Sequence, residues 1–277
     1  MRIIRKAAEF ECNNGKVRGL VATMGALHEG HLTLIREAKM LCDEVVVSIF
    51  VNPLQFGPGE DFARYPRRES EDVALVESAG ASVVFAPSVE DFVGLPVTFI
   101  QARGVSERYE GAHRPGHFEG VATIVAKLFN AVRPQHAFFG LKDRQQCAVI
   151  GAMVRDLNFP VGLHFVSTVR DADGLAMSSR NAYLSPAERA LAPLLFKTLK
   201  QAAASISESQ SSSTAVTEIL SGAAISLAKA GFEVDYLDLV DPLRFEPVIN
   251  AMSDTVIVVA AKLGRTRLID NVDIPKQ

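Results

Sequence analysis

Two histidines three residues apart, His28 and His31, close the stretch Thr23-Met24-Gly25-Ala26-Leu27-His28-Glu29-Gly30-His31. Before it runs the apolar segment Gly19-Leu20-Val21-Ala22, which predicts a buried strand. After it Leu34, Ile35, Ala38, Leu41 and Cys42 recur at helical spacing. A strand, a glycine-containing turn and a helix start, in that order, make a nucleotide-phosphate site, because backbone N–H groups and the positive end of the helix dipole converge above the turn. Gly25 and Gly30 carry no Cβ to hold a ligand away. On an opening helical turn both imidazoles face the same ligand, and each can donate a hydrogen bond to phosphate. The competing reading is a pair of ordinary surface histidines at a helix cap. A zinc site of the H-E-x-x-H kind is excluded, since that pattern spaces its histidines four apart.

Further groups with chemistry follow other strand-like runs. Val45 to Val51 is a continuous, largely β-branched segment, the pattern of a strand buried on both faces. It ends in Asn52-Pro53-Leu54-Gln55-Phe56-Gly57. Ligands of an open parallel sheet sit beyond the carboxyl ends of its strands, so Asn52 and Gln55 are placed to hydrogen-bond a substrate. A plain loop explains Asn-Pro equally well but gives no reason for Gln55. The strand Ala137-Phe138-Phe139 leads into Gly140-Leu141-Lys142-Asp143, a second strand-to-helix junction, where Lys142 can neutralise a polyphosphate as a point charge. Asp143 either caps the helix or meets a ribose or a metal. Gln146 lies one turn further on, facing the same way as Lys142. A strand from Gly162 to Val169 precedes the loop Arg170 to Asn181, whose Met177-Ser178-Ser179-Arg180 combines two hydroxyls and a guanidinium, the parts of a mobile phosphate clamp. An N-cap is the plainer role for these serines, but Ser185-Pro186 fills that need better. Arg114 and His117, in the turn-rich stretch Arg114 to Gly120, can reach phosphate or carboxylate.

The elements that must position these groups read as follows. Glu69 to Ser78 predicts a helix whose charged face is a solvated surface. Ser82 to Ala86 and Thr98 to Ala102 predict short strands. Val121, Ile124, Val125, Leu128, Phe129 and Val132 mark the buried face of a long helix. Strands alternate with helices up to Val169, which predicts an α/β fold, a Rossmann-like doubly wound parallel sheet. Past that point alanine-rich helical stretches flank a serine-rich exposed loop, Ser205 to Thr214. Strands Phe232 to Val240 and Thr255 to Leu263 follow, the latter turning through Gly264-Arg265 into Thr266 to Asp270 as a hairpin. This predicts a smaller C-terminal α+β domain that covers the site, with domains at 1–178 and 179–277.

With 29 Lys and Arg against 32 Asp and Glu in 277 residues, the net charge is −3. That gives no general attraction to nucleic acid or to anionic lipid, so any phosphate affinity is local. A hydrophobic content of 48% supplies a full core. Cys12, Cys42 and Cys147 form no C-x-x-C pair, which fits a reduced cytoplasmic setting. The start of the chain lacks the apolar stretch of a signal peptide, and the most apolar run, Val45 to Val51, is too short to cross a bilayer.

Thr-Met-Gly-Ala-Leu-His-Glu-Gly-His resembles the signature of the pantothenate synthetase (pantoate–β-alanine ligase) family, within the nucleotidylyltransferase superfamily and its H-x-G-H motifs. Val-Asn-Pro-Leu-Gln-Phe at 51–56, Arg-Pro-Gly-His-Phe at 114–118, Gly-x-Lys-Asp-x-Gln-Gln from Gly140, Met-Ser-Ser-Arg at 177–180 and Leu-Ile-Asp-Asn at 268–271 extend the resemblance over nearly the whole chain. It implies ATP-dependent ligation of pantoate to β-alanine through a pantoyl adenylate, with release of AMP and pyrophosphate. It places Met24, Gly25, His28, His31, Gly140, Lys142, Asp143, Val169, Met177, Ser178, Ser179 and Arg180 at ATP. His28, His31 and Lys142 are its catalytic groups, and Asn52, Gln55 and Gln146 bind pantoate. Mg²⁺ is expected from the triphosphate itself, with no protein ligands assigned, and a homodimer is expected from the family. The chain departs from the pattern at Ala22, where proline is usual, at Arg144, where an aromatic is usual, and in a short Asp91–Pro96 segment. Arg144 is expected to add charge beside Lys142. An adenylyltransferase that leaves AMP on its product, or a non-catalytic nucleotide sensor, is compatible with the same histidine and serine motifs. Kinship with the tRNA synthetases is compatible by fold, but the chain lacks a basic RNA-binding extension.

Overall fold

The computed structural model describes residues 1–11, 15–208, 213–250 and 254–275; Cys12 lies outside them. The chain divides into two compact units, Met1–Leu141 with Gln146–Ser167, and Lys142–Gln145 with Thr168–Gln277. The first unit runs β1 (Arg2–Ile4), β2 (Arg18–Thr23), α1 (Glu29–Leu41), β3 (Glu44–Ile49), α2 (Glu69–Ser78), β4 (Val83–Phe85), α3 (Val89–Phe92), α4 (Glu110–His113), α5 (His117–Val132), β5 (His136–Gly140), α6 (Arg144–Asp156, from Gln146 onward) and β6 (Gly162–Val166). Its strands are all parallel and lie in the order β1-β4-β3-β2-β5-β6. This is the Rossmann-like sheet that the alternation predicts.

The order matters for the site. From β2 the chain steps outward to β3 and β4, then returns to place β5 on the other side of β2. The β2–β5 neighbourhood is therefore the topological switch point, where diverging connections leave a crevice at the strand carboxyl ends. Both glycine-bearing junctions start here: the His28–His31 turn follows β2, and Gly140 ends β5. One face of the sheet, with Val21, Val45, Val47, Val84 and Phe138, packs on Leu34, Ile35 and Ala38 of α1 and Val76 of α2. Along β3, Val45 to Ser48 are all buried, as a strand covered on both faces requires.

Several details differ from the sequence expectation. Residues 98–102 form no strand. The outer edge of β4 is taken instead by β1, through Arg2–Val83, Ile3–Val84 and Ile4–Phe85, and the Ile100 amide donates to the Thr123 hydroxyl at 2.9 Å. Leu41 is exposed while Leu32 is buried, because α1 ends at Leu41 and the chain turns extended at Cys42 towards β3. Cys42 and Cys147 are both buried thiols. β6 stops at Val166, short of the expected Val169.

The second unit contains α7 (Pro186–Leu191), α8 (Leu194–Glu208), α9 (Ser213–Lys229), β7 (Phe232–Val240), β8 (Val256–Leu263) and β9 (Thr266–Asp273). The strands form an antiparallel β7-β8-β9 sheet, with Leu263 opposite Thr266 across a two-residue hairpin. Its core joins Leu195, Leu199 and Ile206 of α8 to Leu220 and Leu227 of α9 and Val259 and Leu268 of the sheet. In the predicted serine-rich loop, residues 205–208 and 213–214 are helical. Buried Ile206 prolongs the apolar stripe of α8 to Glu208, and α9 resumes at Ser213; residues 209–212 lie outside the described ones. Ser185 and Glu188 form a capping box on α7, with Pro186 in the first turn, as Ser185-Pro186 predicts. Among the described residues no helix is long and apolar enough to cross a membrane.

Candidate active site

The turn after β2 is held from several directions. The Thr23 hydroxyl donates to the Ser48 carbonyl at 2.6 Å, and accepts the Gly25 amide at 3.2 Å. Ala22, at the family's proline position, lies within β2 opposite Ser48, so the departure leaves the turn pinned at Thr23. Gly25 and Ala26 both adopt positive φ, 79° and 51°. For Gly25 this costs little, but a residue with a Cβ is strained there. The support comes from α2. Asp72, 2% exposed, accepts the Ala26 amide at 2.9 Å and the Leu27 amide at 2.8 Å, one on each carboxylate oxygen. A Cβ on Gly25 would lie 2.9 Å from that carboxylate, so glycine is needed twice over. Burial pushes the Asp72 carboxyl up, against the pull of the two amides.

The histidines complete the turn. His28 is the N-cap of α1, and its Nδ1 accepts the Gly30 amide at 3.2 Å. The Nδ1 of His31 accepts the His28 amide at 3.3 Å, and the two rings lie 4.1 Å apart. The pair thus replaces the usual Ser…Glu capping box. With Nδ1 accepting in both rings, the neutral tautomer of each carries its proton on Nε2, and each is an Nε2–H donor. This corrects the sequence reading. The amides of Gly25, Ala26, Leu27, His28 and Gly30 bond within the protein, so these five are taken, and the imidazoles and the helix dipole carry more of what the turn offers an anion. Met24, half-buried in the same turn, has its sulfur 3.3 Å from Gln55 Nε2.

Gln55 ends the 3-10 turn Pro53–Gln55 beyond β3. Asn52 sits behind it, at 1% exposed. Its amide nitrogen donates to Gln55 Oε1 at 3.0 Å and the Gly120 carbonyl at 3.1 Å, and its oxygen accepts the Leu54 amide. Asn52 therefore orients Gln55. Gly120 of α5 lets the turn pack against the helix: a Cβ there would lie 2.2 Å from the Leu54 carbonyl oxygen. His117 and Arg114 are also supports. The Gln55 carbonyl can only accept, so His117 Nδ1 donates to it at 2.9 Å; Arg114 can only donate, so His117 Nε2 accepts from it at 3.1 Å. Arg114 forks onto Glu60 at 2.6 and 2.7 Å. Burial, then the Arg114 charge, push the His117 pKa down to about 4, so this imidazole is neutral at pH 7.

At the end of β5, Gly140 is followed by the 3-10 turn Leu141–Asp143, and Gln146 is half-buried in α6. The second unit holds the remaining candidates. Lys142 Nζ lies 3.6 Å from Asp143 Oδ1, and the Lys142 carbonyl accepts Asn271 Nδ2 at 3.1 Å. Arg144 does not add loose charge beside Lys142, because it pairs with Asp273 at 2.7 Å. Val169 is not in a strand; its carbonyl accepts the Met177 amide at 3.0 Å, across the Arg170–Ala176 bridge. Ser178 takes the plainer role as well: it caps the 3-10 helix Ser179–Tyr183, accepting the Arg180 amide at 3.3 Å. Val169, Met177, Ser178, Ser179 and Arg180 thus share one closed loop. Among the described residues, no group of three or more His, Cys, Asp or Glu side chains is placed to hold a metal.

Asp72 and Asn271 are the residues that sequence reasoning passed over. Asp72 had a signal: it precedes Val76 by four and Ala79 by seven, on the buried stripe of α2, where a carboxylate needs a partner.

The Pantoate-beta-alanine ligase family model matches residues 1–273. Pantothenate synthetase from Acinetobacter baylyi is 49% identical over 261 residues, covering 94% of this chain and 91% of that protein. The Koribacter versatilis pantothenate synthetase is 44% identical over 98% of this chain and 95% of its own. A crystal structure of pantothenate synthetase from Thermus thermophilus matches with a TM-score of 0.94, at 44% identity and over 100% of both chains. Pantoate-beta-alanine ligase from Francisella tularensis, complexed with beta-gamma ATP and beta-alanine, matches at 0.82, with 29% identity, over 100% of this chain and 99% of that one.

Two outcomes follow from the supports. Asp72→Asn sets an amide NH₂ against one of the two backbone N–H groups, and urea unfolding should show a loss of about 1–3 kcal/mol. For His117 the unfolded chain titrates near the ordinary 6.5 and the folded protein near 4. Its contribution is therefore complete above pH 6.5 and is lost as pH falls towards 4, reaching about 2 kcal/mol by pH 5. Between pH 7.5 and 5, unfolding midpoints of the parent protein should fall further than those of His117→Gln; parallel pH profiles would contradict the assignment.

Proposed function

The chain belongs to the pantoate–β-alanine ligase family, and from that premise we propose that it makes pantothenate from pantoate and β-alanine through a pantoyl adenylate. A pantoate carboxylate oxygen attacks the α-phosphorus of ATP, and the bond to the bridging oxygen breaks to release pyrophosphate. The β-alanine nitrogen then attacks the acyl carbon, loses a proton, and displaces AMP. The obstacle to the first step is an anion approaching a polyanion, so positioning and fixed positive charge are the available levers.

One observation carries this reading. Both imidazoles of the His28–His31 pair have Nδ1 committed to backbone amides, so both are Nε2–H donors at the switch point of a parallel sheet. His28 and His31 take the phosphates, with His31 the stronger candidate for donation to the α-phosphate or leaving group. Lys142 acts as the point charge, with Ser178, Ser179 and Arg180 as the further triphosphate ligands. Met24, Gly25, Gly140, Asp143, Val169 and Met177 line the nucleotide. Gln55 and Gln146 read pantoate, and Asn52 acts by orienting Gln55. Mg²⁺ travels with the triphosphate. The same proposal places the enzyme in the cytoplasm, from its cysteine usage, and makes it a homodimer, from the family resemblance.

If the order of chemistry is right, pantoate-dependent exchange of pyrophosphate into ATP proceeds without β-alanine, and heavy oxygen from the pantoate carboxylate appears in AMP. Label in pyrophosphate instead would place the attack at the β-phosphate. AMP retained on the product would indicate an adenylyltransferase. His31→Ala should slow single-turnover adenylate formation about a hundredfold, the usual cost of one positioned donor. Calorimetry should show a smaller effect on ATP binding; lost binding with normal chemistry would remove His31 from the reacting centre.

A further inference from the structure

We infer that the consecutive residues Asp270 and Asn271 of β9 are positioning residues that tie the Lys142 turn and the Val169–Arg180 loop to one strand. The functional part of this inference rests on the reading of those two elements as phosphate ligands. β9 is an edge strand, paired with β8 alone. Successive side chains of a strand leave opposite faces, so neighbours on β9 can grip different partners. Leu268 and Ile274 lie in the second unit's core, and Asp270, on the same parity, is 4% exposed.

The Asp270 carboxylate is fully engaged. It takes the Arg170 guanidinium in a fork at 2.7 and 2.8 Å, and also accepts the Asn271 amide at 2.8 Å. Arg170 donates further to the Gly174 carbonyl at 3.2 Å, and its guanidinium carbon sits 3.6 Å from the Phe196 ring centroid. Arg170 opens the loop that ends in Ser178, Ser179 and Arg180, so Asp270 fixes the root of that loop. Asn271, 7% exposed, points the other way, and its Nδ2 donates to the Lys142 carbonyl at 3.1 Å. Two residues on, Asp273 takes Arg144 from the same short segment. One residue step along a strand, about 3.4 Å, thus sets the spacing between the two elements. A buried ion pair is often no more stabilising than apolar packing, so fold stability alone gives little reason for Asp270 and Arg170 here.

Hydrogen exchange and kinetics test this on the full chain. Asn271→Ala should speed amide exchange in residues 142–145, and Asp270→Asn should do so in residues 168–177. Unchanged exchange in Asn271→Ala overturns the strap. In kinetics Asn271→Ala should lower kcat/KM for ATP about tenfold, the effect of one lost hydrogen bond, with KM for pantoate within about twofold. In a Lys142→Met background the same change should add less than about twofold, since Asn271 acts through Lys142. A full tenfold loss in both backgrounds overturns the positioning role. If Lys142→Met itself leaves ATP kinetics unchanged while exchange still responds to Asn271→Ala, the phosphate reading fails and the strap stands.

Discussion

The arrangement of the first unit depends on one buried carboxylate. Asp72 ties α2 to the turn between β2 and α1 by accepting two successive amides. That bond pair lets Ala26 remain at positive φ and requires a glycine at position 25. It also decides the chemistry of the turn. With five of its amides satisfied internally, the turn depends more on its side chains to meet an anion. The histidines are suited to it because their own Nδ1 atoms are held by the helix start, which leaves no ambiguity of tautomer.

The same logic recurs around Gln55. A side chain proposed to read a small hydroxy acid works best when it does not rotate, and a surface glutamine has three torsions to lose. Asn52 fixes its amide, His117 fixes its carbonyl, and Arg114 with Glu60 holds His117. Burial pushes Glu60 up, but the Arg114 hydrogen bond and charge outweigh this and keep it below the ordinary carboxylate range. His117 stays neutral for the opposite reason, with a cation beside it and little water. A neutral acceptor between Arg114 and a carbonyl is what that position requires.

In the second unit, charge is organised by pairing. Arg144 meets Asp273, Arg170 meets Asp270, and Arg189 meets Asp171 and Asp173. Exposed pairs such as Arg189–Asp173 are worth little in stability. Their value here is geometric, since each arginine lies in, or is bonded to, a segment that carries proposed phosphate ligands. Salt bridges that set position rather than stability tolerate little change in length, which separates arginine from lysine at these sites.

The sequence alone determined the parallel sheet, the junctions after β2 and β5, the long buried helix α5 and the closing hairpin, because each is written in local periodicity and turn chemistry. It also singled out His28, His31, Gln55 and Lys142 as candidates, whose residue types are conspicuous after strand ends. Tertiary structure decided what local pattern does not encode. β1 rather than residues 98–102 fills the sheet edge, because a strand needs a partner and only the fold shows which segment reaches β4. Asn52 reads from its type as a substrate ligand, and Arg114 and His117 as groups able to reach phosphate or carboxylate; in the fold all three bond protein groups around Gln55, because a polar side chain acts on whatever lies within about 3 Å of it. The segment 142–145 joins the later unit for a similar reason. Its partners Asn271 and Asp273 lie 129 residues further on, and a hydrogen bond over that separation leaves no trace in sequence spacing.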